Sequence, residues 1–206
     1  MSPGTTMERV YLELKARIMS GQFAAGVRID PVVIARELAA SATPVRDALH
    51  RLSGERLVDS WHQDGFRQPV QNESDLRDSY SWSQVLLVLA LRSPAAASPP
   101  EALVSGVAGE DYPARLGRLF RAIGLQSDNR ELRLAIGNLV DRTHFVRGAE
   151  AEADPGCIDA LAAMEGDFQC GRWRELRAGV VRFHRRRIAT AGTVALRLRP
   201  DNRQLG

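Results

Sequence analysis

The 206-residue chain is long enough for one large domain or two small ones, with a buried core in either case. Hydrophobic residues at 44% and charged residues at 26% exclude an intrinsically disordered protein, and a net charge of only +3 excludes one held to nucleic acid by bulk charge. Affinity for DNA would have to come from where individual cations are placed.

Residues 1–6 carry no periodic signal and read as frayed. From Met7 onward Val10, Leu14 and Ile18 recur every four residues with Tyr11 beside them, which predicts a first helix ending near Gly21. "AAGVRI" (24–29) reads as a turn and a very short strand. Asp30 followed by Pro31 marks a helix start, with a carboxylate to cap free N–H groups and a proline in the first turn. That second helix is expected to reach about Ala40 and to bury Val33, Ile34 and Leu38. In "ASATPVRDALHRL" (40–52), Val45, Ala48, Leu49 and Leu52 share one helical face, while Thr43, Arg46, Asp47 and His50 share the other. Pro44 suits a first helical position.

The next segment discriminates more sharply. "LVDSW" and "FRQPV" alternate on either side of "HQDG", and Asp-Gly between two such runs signals a hairpin. Three helices followed by a hairpin make a winged helix-turn-helix, expected over residues 1–72, with its third helix presented to a major groove and its wing to the backbone or minor groove. The candidate DNA contacts are Ser41, Thr43, Pro44, Arg46 and His50 on the helix, with His62, Gly65 and Arg67 on the wing. Hydroxyl and guanidinium donors hold phosphates, and arginine reads guanine edges bidentately. Residues 1–72 hold 9 Lys and Arg against 8 Asp and Glu, so long-range steering toward DNA is modest. Asp64 at the wing tip leaves wing contact to Arg67 or His62.

"QNESDLRDSY" opens a long helix with Ser74 as its cap and Leu76, Tyr80, Val85, Leu87 and Leu91 as its apolar positions. "RSPAAASPP" stops it and forms a loop. Residues 101–107, 112–125, 130–150, 157–167 and 171–191 then read as helices, so residues 73–206 are expected to form an all-α bundle of five or six helices. The tail after Gly192 reads as mobile. The fold class is therefore mainly α, a winged helix-turn-helix followed by a helical bundle.

Seven arginines between Arg172 and Arg187 read as a solvated face over an inner stripe of Trp173, Leu176, Val180, Val181 and Ile188. The run Val85–Leu91 is far too short to cross a bilayer, and no signal-peptide pattern opens the chain, so a cytoplasmic location is the expectation. Cys157 and Cys170 lack zinc-site spacing and read as half-buried reduced thiols. An enzyme is not expected: the four histidines are scattered, no glycine-rich phosphate loop follows a strand, and neither cysteine has a paired histidine motif.

"ATPVRDALHRLSGERLV", followed by a wing and "SDLRDSY", resembles the signature of GntR-type bacterial transcription regulators. The helical remainder is similar to the ligand-sensing FCD domain of the FadR subfamily through "ARLGRLFRAIGLQSDNREL" and "AAMEGDF". The resemblance implies a homodimer on a palindromic operator, with a small effector, often a carboxylate, shifting the binding equilibrium; a repressor is the expected sense. It also shows departures. Ala42 stands where the family usually has arginine, removing a contact worth about 1–3 kcal/mol. The metal-ligand positions that many FCD domains carry fall on Gly117, Arg121, near Gly156 and near Ala178, so no metal and no cofactor is expected. His144 and His184 lie off that pattern and read as surface or singly hydrogen-bonded histidines. Arg121 offers a fixed positive charge for a carboxylate effector; the rival expectation is that it points to solvent or pairs with a neighbouring acid. The loop at 93–100 shortens the bundle and puts an enclosed effector pocket and the usual dimer surface in question. The alternative function is therefore a DNA-binding or protein-interaction regulator that has lost ligand and metal sensing.

Overall fold

The computed structural model describes residues 3–61, 65–92 and 110–199, which divide into two compact units meeting between Gln71 and Asn72.

In the N-terminal unit, α1 spans Pro3–Met19, β1 Arg28–Ile29, α2 Pro31–Glu37, α3 Ala42–Gly54, β2 Asp59–Trp61 and β3 Gly65–Arg67. Helix α1 begins earlier than the periodicity suggests, because Pro3 fits a first helical turn whose N–H groups need no partner. The Asp30 carboxylate accepts from the Val32 N–H at 2.8 Å and starts α2. That helix ends at Glu37, short of Ala40, because Ala39 turns left-handed at φ 47° and the Ala40 N–H closes onto the Ala35 carbonyl at 2.9 Å. Ile34, Ala35 and Leu38 face the core, whereas Val33 is exposed, so the inner face lies one residue further along than the spacing suggested. Val45, Ala48, Leu49 and Leu52 of α3 are buried with Val10, Leu14 and Ile18 of α1. Helices α1 and α3 pack side by side over this core.

The three strands form one antiparallel sheet in the order β1-β3-β2, with Arg28 opposite Arg67 and Ser60 opposite Phe66. Gly65 enters β3 at φ +80°, a conformation that favours glycine. His62 and Asp64 lie outside the described residues.

The second unit contains six helices among its described residues: α4 Glu73–Ala90, α5 Tyr112–Gly124, α6 Arg130–Arg142, α7 Arg147–Ala153, α8 Gly156–Gln169 and α9 Trp173–Arg197. The cap of α4 is Asn72, not Ser74: its side chain accepts from the Asp75 N–H at 3.0 Å while Asp75 accepts from the Asn72 N–H at 3.0 Å. Val85, expected inside, is exposed. The helix expected over 101–107 and the loop at 93–100 lie outside the described residues.

The single helix expected over 130–150 is two. Thr143 caps α6 and donates its hydroxyl to the Leu139 carbonyl at 2.9 Å; the chain then turns and α7 starts with Arg147, whose side chain enters the core. Helix α9 runs to Arg197, past the expected end, because Ala191, Val194 and Ala195 bury against Leu76 and Tyr80 of α4. Both cysteines are free thiols, Cys157 buried and Cys170 exposed, so neither is half-buried as expected.

Candidate nucleic-acid interface and effector positions

Thr43, Arg46, Asp47 and His50 recur at helical spacing on α3 and are all exposed, opposite the buried Val45, Ala48, Leu49 and Leu52. Ser41 sits at the N-cap, yet its hydroxyl makes no capping hydrogen bond, so α3 opens with a free hydroxyl and uncapped N–H groups. Such a helix start is suited to an anion. Pro44 is the third helical residue, not the first; within the first turn its missing N–H still costs no intrahelical bond. The His50 ring stands edge-on to Phe66 of β3, centroids 4.9 Å apart, and so braces α3 against the wing.

On the sheet, the exposed Arg67 lies between Arg28 and Asp59 of the flanking strands. The Arg28 guanidinium also passes within 3.7 Å of the place a Cβ at Gly65 would take. Arg28 is the residue that sequence reasoning missed; its only trace there is a lone cation in a two-residue strand, which gives no clue to its strand partner.

How a unit with nearly balanced charge can present a positive face follows from where its acids are used. Lys15 pairs with Glu55 at 2.8 Å, Arg17 with Glu37 at 2.6 Å and Glu13 at 3.2 Å, and Arg51 with Glu8 at 3.1 Å while lying 3.6 Å over the Tyr11 ring. All of these pairs tie α1 to itself or to α2 and α3. Burial and the Glu55 hydrogen bond raise the Tyr11 pKa, and Lys15 and Tyr11 together hold Glu55 below its ordinary value against the opposing effect of burial. Arg28, Arg46 and Arg67 make no salt bridge among the described residues, so their guanidinium groups remain available to an outside anion.

In the helical unit, Arg121 projects from α5 and is ion-paired with Asp141 of α6. A carboxylate ligand at Arg121 would compete with that acid. Gly117, one turn earlier, is where a neighbouring cation packs: a Cβ there would come within 2.7 Å of Arg147 Nη1. The fully buried Arg147 donates from Nη1 to the Pro113 carbonyl at 2.7 Å and from Nη2 to the Val140 carbonyl at 2.9 Å. Burial lowers its pKa to about 10, which leaves it charged at neutral pH. Gly156 lies against Arg186, and Ala178 is exposed. No group of three or more metal-ligating side chains gathers among the described residues.

His184 is fully buried, its Nδ1–H donating to the Val180 carbonyl at 2.8 Å, which leaves Nε2 to accept from the Ser83 hydroxyl at 3.0 Å. Burial, with the Arg187 charge second, pulls its pKa down to about 3. His144 is partly buried beside Arg147, and its pKa is lowered by burial and by that cation. Arg187 is the exception in the arginine-rich helix: it is buried, bonds Glu150 Oε1 at 2.5 Å and lies 4.0 Å over the Tyr80 ring. Burial works against its charge, and the facing Glu150 carboxylate more than restores it, lifting the pKa above the usual guanidinium range. A cavity lined by Ser83, Phe120, Ile136 and Thr143 has a volume of about 10 Å³, room for a single water. No helix among the described residues is long and apolar enough to cross a membrane.

Residues 6–67 match the family model described as bacterial regulatory proteins, gntR family. Among solved structures, the chain is similar to McbR/YncC of E. coli, with 21% identity, a TM-score of 0.65 and coverage of 90% of this chain and 96% of that one. It is likewise similar to a putative transcriptional regulator GntR from Rhodococcus sp. RHA1, with 17% identity, a TM-score of 0.73 and coverage of 91% and 97%. At these identities the likeness is one of fold. No curated protein matches the chain.

Proposed function

We propose that this chain, whose residues 6–67 match the gntR-family model, is a DNA-binding transcription regulator of the GntR type that works in the cytoplasm as a homodimeric repressor on a palindromic operator. The observation that carries the reading is the row Thr43, Arg46 and His50 standing exposed on α3 beside a sheet bearing Arg28 and Arg67, which make no salt bridge among the described residues. In this reading α3 enters the major groove, where Arg46 reads a base edge, and Ser41, Thr43 and the N–H groups around Pro44 hold a phosphate. His50 fixes the wing angle while Gly65 lets Arg67 and Arg28 approach the backbone. Two linked heads on two half-sites gain affinity through effective concentration.

The helical unit is a divergent, shortened FCD-like domain in this proposal, and a small carboxylate acting at Arg121 shifts operator affinity by displacing Asp141. A second reading, operator binding without an effector, is favoured by two observations: the Gly117 position is occupied by the Arg147 guanidinium, and the cavity beside Ser83 admits one water.

Fluorescence anisotropy with the promoter upstream of the chain's own gene tests these readings at fixed salt, with and without a panel of carboxylic acids. Saturable binding that competitor DNA of unrelated sequence does not remove supports the operator reading. A carboxylate response lost in Arg121→Ala supports the effector; binding unchanged across the panel supports the second reading. Absence of sequence-selective binding refutes the proposal.

A further inference from the structure

Helix α9 turns its inner side to α4, α7 and α8, burying Leu176, Val180, Phe183, Arg187 and Ala191. Its opposite side carries arginine. At about 100° per residue Arg174, Arg182 and Arg185 fall within about 80° of one another, centred opposite the buried residues, and Arg177 flanks them about 60° away. All four are exposed, and they span about 16 Å of the helix axis.

These four differ from the arginines around them in having no counter-charge. Nearby acids are engaged elsewhere: Asp154 by Arg186, Asp167 by Arg172 and Glu150 by Arg187. Arg174, Arg177, Arg182 and Arg185 make no salt bridge among the described residues, and Glu175 is the acid that shares their helix. Like charges three residues apart, Arg174 with Arg177 and Arg182 with Arg185, repel, and a bound anion lifts that repulsion. The surface between them is low and lacks apolar anchors. Ala178 and Ala189 lie on the same side, and Leu196, the large apolar residue that this helix exposes, stands about three turns beyond Arg185. A protein partner needs apolar side chains to bury at the centre of its interface, and a bilayer surface needs them to insert. A row of cations with neither suits a partner read by charge alone: the sugar-phosphate backbone of a duplex, which offers one phosphate per roughly 1.7 Å of axis.

We propose that the outer face of α9, through Arg174, Arg177, Arg182 and Arg185, is a second, sequence-independent contact for duplex DNA, separate from the contacts of α3 and the wing. The inference rests on the reading of this chain as a DNA-binding protein and adds to it a site on the helical unit. Guanidinium groups on this face hold phosphates and touch no base edge. The face therefore adds affinity and salt dependence on every duplex alike and leaves operator choice to α3.

Fluorescence anisotropy of the full chain with a duplex of about 30 base pairs and unrelated sequence, at salt concentrations from about 50 to about 200 mM, provides the test, with the promoter duplex measured alongside. Each phosphate contact contributes about 0.9 to the slope of log K against log salt. Arg182→Gln with Arg185→Gln, and separately Arg174→Gln with Arg177→Gln, are each expected to reduce that slope by about 1.8 and to weaken binding of the unrelated duplex about tenfold at about 200 mM salt. The circular dichroism spectrum and the preference for the promoter are expected to stay as in the native protein. Arg130→Gln with Arg133→Gln removes the same charge from α6 and is expected to leave the slope unchanged. An unchanged slope in either α9 pair overturns the inference, as does an equal loss in the α6 pair, which would make the effect one of bulk charge. Loss of binding to poly-glutamate or phosphatidylserine vesicles, with duplex binding untouched, overturns it in favour of another acidic partner. If the native protein prefers the promoter and the α9 pairs behave like it, the operator reading stands and the inference fails. If the native protein has no such preference, yet its duplex binding falls in the α9 pairs and not in the α6 pair, the operator reading fails and the inference stands.

Discussion

Gly117→Ala and Gly137→Ala make the same chemical change inside two 13-residue helices, α5 and α6, and the structure assigns them opposite signs. In a helix interior alanine is favoured over glycine by about 1 kcal/mol. At Gly137 a Cβ meets nothing within 4 Å, so the full gain of about 1 kcal/mol is expected. At Gly117 the Cβ lands 2.7 Å from Arg147 Nη1, and that guanidinium is fully buried and tied to the Pro113 and Val140 carbonyls. Ordinary contact requires it to retreat by several tenths of an ångström, against a hydrogen bond of 2.7 Å. Losing one charge-assisted hydrogen bond costs about 1.5–3 kcal/mol, and overpacking adds about 1 kcal/mol or more. After the helix gain, Gly117→Ala is expected to destabilise by about 1.5–3 kcal/mol. The two variants should therefore differ by about 2.5–4 kcal/mol in urea unfolding followed by circular dichroism at 222 nm. Equal midpoints for the two, or a Gly117→Ala protein more stable than the native one, would refute the account of Arg147 as a cation packed against a missing Cβ.

Arg46→Ala is expected to weaken operator binding by about 1–3 kcal/mol, roughly 5- to 150-fold, with no change in melting temperature, since Arg46 is exposed and makes no salt bridge among the described residues. Arg67→Ala should instead weaken operator and non-specific DNA alike and reduce the salt slope of log K by about 1, the mark of one lost phosphate contact. Ala39→Gly relieves a left-handed alanine at φ 47°; after the entropy glycine adds to the unfolded chain, a gain of about 0.5–1 kcal/mol is expected in thermal unfolding. His184 gives the pH dependence its sign. Because its folded pKa is held near 3, below pH 6.5 the unfolded chain takes up a proton that the folded one refuses. Stability is thus lost as pH falls from about 6.5 toward 3, by up to about 1.4 kcal/mol per pH unit from this group, and His184→Gln should remove that component of the slope. Identical slopes in the two proteins would contradict a buried neutral imidazole.

The N-terminal half of the reading was open to sequence because its signals are local. The spacing of Val45, Ala48, Leu49 and Leu52 fixes which side of α3 turns inward, the Asp30-Pro31 pair fixes where α2 starts, and Asp-Gly between alternating runs fixes a hairpin. Each depends on residues within a turn or two of one another. Sequence failed where the deciding partner is distant. The break between α6 and α7 escapes periodicity because the buried Ile136, Leu139, Thr143, Val146 and Glu150 follow one another three or four apart straight across it; what bends the chain is room in the core for Arg147, left by Gly117 thirty residues earlier. Val85 looked like core for the same reason, since a spacing rule cannot tell which of two apolar faces on α4 meets α9. Arg187 sits in a run of arginines that reads as solvated, and only the meeting of α4, α7 and α9 supplies the Glu150 carboxylate and Tyr80 ring that draw it inside.

Alone, then, the sequence determined the element types, the inward face of the reading helix and the resemblance to one class of regulator, because these follow from backbone preferences and short-range burial. Which cations stay free for an outside anion and which are consumed inside was decided by tertiary structure. Charge acts through space: the sign of a residue is written in the chain, but the distance to its counter-charge exists only once the helices have packed.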